Sequence, residues 1–121
     1  MKKRILIVED EAAIIDLLRL VLEREGYEIH FCQTGRDAIS TIKDIHPHLI
    51  LLDVMLPGLD GASIARIMSE DDILTSTPVI ITSALRESAK MFLPYPQVKG
   101  FCSKPFALKD LVEQVKKAIG D

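Results

Sequence analysis

Leu49-Ile50-Leu51-Leu52-Asp53 is the stretch that most restricts what this chain can fold into. Four large aliphatics run into a carboxylate, and Pro57-Gly58 follows shortly after. An apolar run this short, bounded by turn signals, reads as a strand buried on both faces, as inside a parallel sheet. Asp53 then stands where the strand ends, and in open α/β sheets ligand crevices lie beyond the carboxyl ends of the strands. Alone, Asp53 serves equally well as a cap for the following loop. The rest of the chain decides.

Strand and helix signals alternate along the sequence. Arg4 to Val8 is a short aliphatic strand ending in Glu9-Asp10. Glu11 to Glu25 has helical spacing, with Ile14, Leu17, Leu18, Val21 and Leu22 assigned to one face and Gly26 placed for a left-handed C-terminal cap. Glu28 to Cys32 alternates and suggests a strand nearer the sheet edge; Thr34-Gly35-Arg36-Asp37 opens a helix that His46-Pro47-His48 breaks. Ala62 to Ser69 is a short helix, Glu70-Asp71-Asp72 and Thr75-Ser76-Thr77 read as a solvated connection, and Val79 to Thr82 is a strand running into Ser83-Ala84. A helix of about two turns is expected over Arg86 to Leu93, ended early by Pro94-Tyr95-Pro96. Phe101-Cys102-Ser103 reads as a brief fifth strand before Lys104-Pro105. In the last helix Leu108, Leu111, Val112, Val115 and Ile119 form one apolar stripe. Five such alternations call for parallel strands, right-handed crossovers and helices on both faces.

The totals bound the answer further. A chain of 121 residues allows one domain, and a net charge of -3 argues against a direct nucleic-acid footprint. The basic start, Met1-Lys2-Lys3-Arg4, leads into only Ile5 to Val8 before Glu9-Asp10-Glu11, too short for a signal peptide or membrane span, so a cytoplasmic location is expected. The two cysteines, Cys32 and Cys102, make neither a disulfide framework nor a zinc pattern. Since the chain stops one residue after Gly120, the expectation is a stand-alone domain over residues 1–121 with no effector attached.

In such a sheet the strands present their carboxyl ends to one crevice. Those ends carry Glu9 and Asp10, then Asp53, Ser83 and Lys104. Two bare carboxylates ~4 Å apart repel by about 4 kcal/mol at an effective dielectric of 20. Three together take up protons or bind a cation, and hard oxygen ligands without His or thiolate favour Mg²⁺.

The set Glu9-Asp10, Asp53-Val54-Met55-Leu56-Pro57-Gly58, Ser83-Ala84 and Lys104-Pro105-Phe106 resembles the receiver domain of two-component response regulators, over essentially the whole chain. The resemblance implies a flavodoxin-like, doubly wound five-stranded parallel sheet of order 2-1-3-4-5 with five helices, the fourth short or irregular. Cys32 and Cys102 would then lie on opposite edge strands, too far apart for a disulfide. By the same resemblance Asp53 is the phosphorylation site, taking its phosphoryl group from a phosphohistidine on a sensor histidine kinase or a histidine phosphotransfer protein. Mg²⁺ is expected on Glu9, Asp10, Asp53 and the backbone carbonyl of Met55. Lys104 and Ser83 would bind phosphoryl oxygens, with Ser83 standing where the family often has Thr. Ser83 and Phe101 occupy the switch positions, although a Phe on a strand is equally a core residue. The Lys104-Pro105 peptide is expected to be cis.

The departure from the family lies between Leu85 and Gly100, where two prolines interrupt the usual fourth helix and no Ala follows Gly100. Met91, Phe92, Leu93 and Tyr95 either pack inward or form an output surface, the latter giving a monomer that dimerises on phosphorylation. His30, His46 and His48 carry no chemical role, since none stands at a strand's carboxyl end. Other classes remain in view. An aspartyl-phosphate phosphohydrolase would place a second Asp two residues after the nucleophile, where this chain has Met55. A pseudo-receiver would bind partners without phosphorylation, which the intact acid set argues against. A nucleotide or flavin binder needs a Gly-rich loop after the first strand, where Glu9-Asp10-Glu11 would repel phosphate.

Overall fold

The computed structural model describes residues 2–56, 60–72, 74–84 and 95–120. Strands β1 (Arg4–Val8), β2 (Glu28–Cys32), β3 (Leu49–Asp53), β4 (Val79–Ser83) and β5 (Val98–Ser103) form one sheet. Its order is β2-β1-β3-β4-β5, and every neighbouring pair is parallel. Helices α1 (Ala12–Arg24), α2 (Gly35–Ile45), α3 (Gly61–Ser69) and α4 (Leu108–Ile119) are the four α-helices among the described residues, with a 3-10 turn at Leu74–Ser76. The helix expected over Arg86 to Leu93 lies outside them.

Burial explains the order. Every residue of β3 and of β4 is buried, because each strand has neighbours on both sides and helices on both faces. Such strands read as unbroken apolar runs, whereas β2 alternates at one edge. Period-two alternation along the inner strands divides the core. Leu6, Val8, Ile50, Leu52 and Ile81 face α2 and α3 through Ala38, Ile42, Ile64 and Met68. Ile5, Ile7, Leu49, Leu51 and Ile80 face α1 and α4 through Ile15, Leu18, Leu22, Leu111 and Val115. Each fully buried Leu or Ile contributes about 1.5–3 kcal/mol.

Local chemistry sets the helix ends. Thr34 Oγ1 accepts from Asp37 N at 3.3 Å, and Asp60 Oδ1 from Ser63 N at 2.8 Å, so two N-termini are capped by side chains. Gly26 has φ 92° just after α1, the left-handed position foreseen for it. Arg4 ties α2's exit to β1. Its Nε donates to Ile45 O at 2.8 Å and its Nη2 to His46 O at 2.9 Å, while its backbone N donates to His48 Nδ1 at 2.9 Å.

Two expectations are corrected. The core stripe of α1 is Ile15, Leu18 and Leu22; Leu17 is 42% exposed. A helix apolar nearly all round offers two stripes at 3.6 spacing, and contact with the sheet selects one. Strand β5 begins at Val98, not Phe101, because a register irregularity near Val79 and Ile80 lets the chain keep pairing past Lys99. Leu74, which stands between the two solvated stretches after α3, is buried in a 3-10 turn.

Candidate functional site

With all five strands parallel, the ends of β1, β3, β4 and β5 open on one edge. Glu9 extends the β1 ladder by donating its N–H to Cys32 O at 3.1 Å, which carries its side chain inward; Asp10, one residue on, is exposed. Asp53 is the last residue of β3 and is buried. Glu9, Asp10 and Asp53 each bring a carboxylate oxygen within 4.8 Å of the others.

Lys104 is placed by the backbone before its side chain acts. Its N–H donates to Ser83 O at 2.8 Å, continuing the pairing of β4 with β5, and the Lys104-Pro105 peptide is cis as expected. Its Nζ then lies 2.6 Å from Glu9 Oε1 and 3.1 Å from Asp53 Oδ2. The second oxygen of each carboxylate accepts from a backbone N–H two residues further on. Glu9 Oε2 takes Glu11 N at 3.0 Å, and Asp53 Oδ1 takes Met55 N at 3.2 Å. Both buried anions are thus held at two points, by one shared ammonium and by their own following turn.

Electrostatics agree with that geometry. Burial pushes the Glu9 carboxyl above the usual carboxylate range and the nearby Asp53 charge adds to this; Lys104 and the Glu11 N–H offset only part. At Lys104 burial alone lowers the pKa, but hydrogen bonds and charge from Glu9 and Asp53 outweigh it and hold the ammonium above its usual value. The three carboxylates are a hard oxygen set with an exposed side at Asp10, which fits Mg²⁺ completed by water and phosphate oxygens.

Other expected residues are placed as follows. Ser83 is the buried last residue of β4, level with Ser103 on β5. Phe101 is half-buried against the α2–α3 side of the core, as is Tyr95. Met91, Phe92, Leu93 and Leu85 lie outside the described residues. His48 accepts from Arg4 N, and His30 Nε2 lies 2.7 Å from Glu28 Oε2, away from the strand ends. The sequence reading gave Lys104 to phosphoryl oxygens and missed its hold on Glu9. It also missed the backbone donors of Glu11 and Met55, whose sequence signal is a carboxylate two residues ahead of a turn N–H.

A family model described as the response regulator receiver domain matches residues 5–116. The chain belongs to the response regulator receiver domains. Receiver relatives share both its sequence and its shape. The phosphate regulon transcriptional regulatory protein PhoB of Pseudomonas aeruginosa is 36% identical over 118 residues, covering 97% of this chain and 52% of PhoB. The signal receiver domain of a signal transduction histidine kinase from Syntrophus aciditrophicus superposes with TM-score 0.89 at 29% identity, over 98% of this chain and 90% of that one. The receiver domain of sensor histidine kinase PA1611 from Pseudomonas aeruginosa PAO1, whose structure has a magnesium ion in the active-site cleft, gives TM-score 0.89 at 25% identity and full coverage of both. This receiver domain spans about half the length of the curated relatives it matches.

Proposed function

We propose that the domain is a phosphoacceptor in a two-component or phosphorelay pathway, and that Asp53 is its phosphorylation site. The observation that carries this reading is the convergence of Lys104 Nζ on Asp53 Oδ2 at 3.1 Å, beside carboxylates from a second strand end. The donor is a phosphohistidine on a sensor histidine kinase or a histidine phosphotransfer protein. An Asp53 oxygen forms the new bond to phosphorus; the phosphorus–nitrogen bond breaks, and its electron pair returns to the imidazole.

Glu9, Asp10, Asp53 and the Met55 carbonyl would hold Mg²⁺, and the magnesium in the PA1611 receiver's cleft supports that assignment here. Bound there, the ion supplies the charge neutralisation that lets one anion approach another. Lys104 is already turned toward Asp53 and takes one phosphoryl oxygen as a point charge, while the Ser83 hydroxyl takes another. Asp53 Oδ1 accepts from the Met55 N–H, while Oδ2 faces Lys104 Nζ. The domain turns over no separate substrate; its chemistry is its own phosphorylation and dephosphorylation, and its output passes through a partner protein.

Incubation with acetyl phosphate and Mg²⁺, read by intact mass, should add one phosphoryl group, and Asp53→Asn should abolish the gain. A full gain in the Asn variant, or none in the parent, overturns the assignment.

A further inference from the structure

The peptide that joins Asp10 to Glu11 is held at both of its polar ends. Its N–H donates to Glu9 Oε2 at 3.0 Å, and its carbonyl accepts from Gln33 Nε2 at 3.4 Å. Gln33 belongs to a different part of the chain, the turn between β2 and α2, and the sheet brings it there. Val8 pairs with Cys32, and Glu9 N donates to Cys32 O at 3.1 Å, so Asp10 comes to stand beside the turn that follows β2. Thr34, the next residue, caps α2 through Asp37 N, which steadies the backbone from which Gln33 reaches across. The acidic turn has less support from its own helix. Glu11, the N-cap of α1, makes no side-chain capping bond, so α1 does not orient the peptide that precedes it in this way.

We propose that Gln33 is a positioning residue for the acidic site: by holding the Asp10 carbonyl it fixes the Asp10–Glu11 peptide, and with it the Glu9 and Asp10 carboxylates that bind the cation. This role rests on the reading of Glu9, Asp10 and Asp53 as a Mg²⁺ site, and it adds to that acid set a neutral side chain from another loop. A planar peptide turns as one unit, so holding its carbonyl also holds its N–H against Glu9 Oε2. The two bonds reinforce each other as well, because hydrogen bonds in a chain polarise one another. Asp10 is exposed, so its carboxylate is aimed by the backbone that carries it more than by packing. An amide suits this place because it donates without charge, whereas an ammonium or guanidinium would set a positive charge beside the cation. Partners outside the ligand set commonly decide how tightly a metal is held. The Gln33 bond is open to water, which puts its share at about three- to tenfold in affinity.

Calorimetric titration of the full chain with Mg²⁺ tests it. Gln33→Met keeps the length of the side chain and removes the donor. The substitution should raise the Mg²⁺ Kd by about three- to tenfold, while the thermal midpoint without Mg²⁺ stays within about 2 °C of the parent. In the metal-free variant the Glu11 amide proton should move upfield as its bond to Glu9 Oε2 loosens. Labelling of Asp53 by acetyl phosphate should slow at limiting Mg²⁺ and return to the parent rate at saturating Mg²⁺, since Gln33 touches no reacting atom. A variant that binds Mg²⁺ as tightly as the parent overturns the proposal and leaves the cation site standing. A metal-free midpoint that falls further than stated, or labelling that stays slow at saturating Mg²⁺, overturns it in favour of a purely structural role. A parent chain that binds no Mg²⁺ overturns the cation site itself, and this role with it.

Discussion

At the scale of single residues, Lys104 explains how two buried carboxylates coexist a few ångströms apart. One ammonium touches both, and each anion keeps a backbone donor for its other oxygen. Phosphorylation would add up to about two negative charges to Asp53, and the hydroxyl of Ser83 would gain a charged acceptor there. A charge-assisted hydrogen bond is worth about 1.5–3 kcal/mol, roughly a 10- to 100-fold shift between two states. Ser83→Ala should therefore cut the phosphorylation-driven shift by at least about tenfold, and relaxation dispersion should find exchange shared by the Ser83 and Phe101 regions in the unmodified domain. Absence of shared exchange argues against a coupled switch. Cys32 gives a separate pH signature. Burial, with Asp37 adding, raises its thiol from 9.0 to about 11. A raised folded-state value means that the contribution is intact below pH 9 and lost as pH rises through about 11, to a limit of about 2–3 kcal/mol. Cys32→Ala should flatten that part of an alkaline denaturation profile.

At the scale of elements, helix α2 shows how much a local signal determines. Thr34 was readable as its start, and the structure places Thr34 Oγ1 on Asp37 N. Thr34→Ala should cost about 1 kcal/mol in chemical denaturation. Helix α1 shows where local reading stops. Its apolar residues surround most of the helix, so periodicity admitted Leu17 as readily as Ile15; only packing on Leu49 and Leu51 separates them. Strand β5 makes the same point from pairing. Val98 and Gly100 carry no strong strand signal, yet opposite Val79 and Ile80 they extend the ladder. Gly100 also lies where a Cβ would meet the Gln114 side chain, so α4 rides close over that strand. The burial of Leu74 between α3 and β4 had no sequence signal, because a single apolar residue gives no period to detect.

At the scale of the whole molecule, the domain joins a firmly buried sheet to an edge where like charges crowd. A cation that binds only the folded edge should stabilise the entire fold: at ten times its Kd, Mg²⁺ adds about 1.4 kcal/mol. The thermal midpoint should rise by about 5–6 °C at that Mg²⁺ concentration, and Asp10→Asn should remove most of that rise. No helix among the described residues is long and apolar enough to cross a membrane. The sequence by itself determined the five strands and the residues at their ends, because hydrophobic periodicity and turn residues are local properties of the chain. It also placed Glu9, Asp10, Asp53, Ser83 and Lys104 at one edge, because parallel strands leave no other. Only the tertiary structure decided that Lys104 bridges Glu9 and Asp53 and that the outward face of α1 keeps Leu17 and Leu20 in water. Those contacts depend on the distance between elements remote in the chain, and no residue carries that distance in its identity.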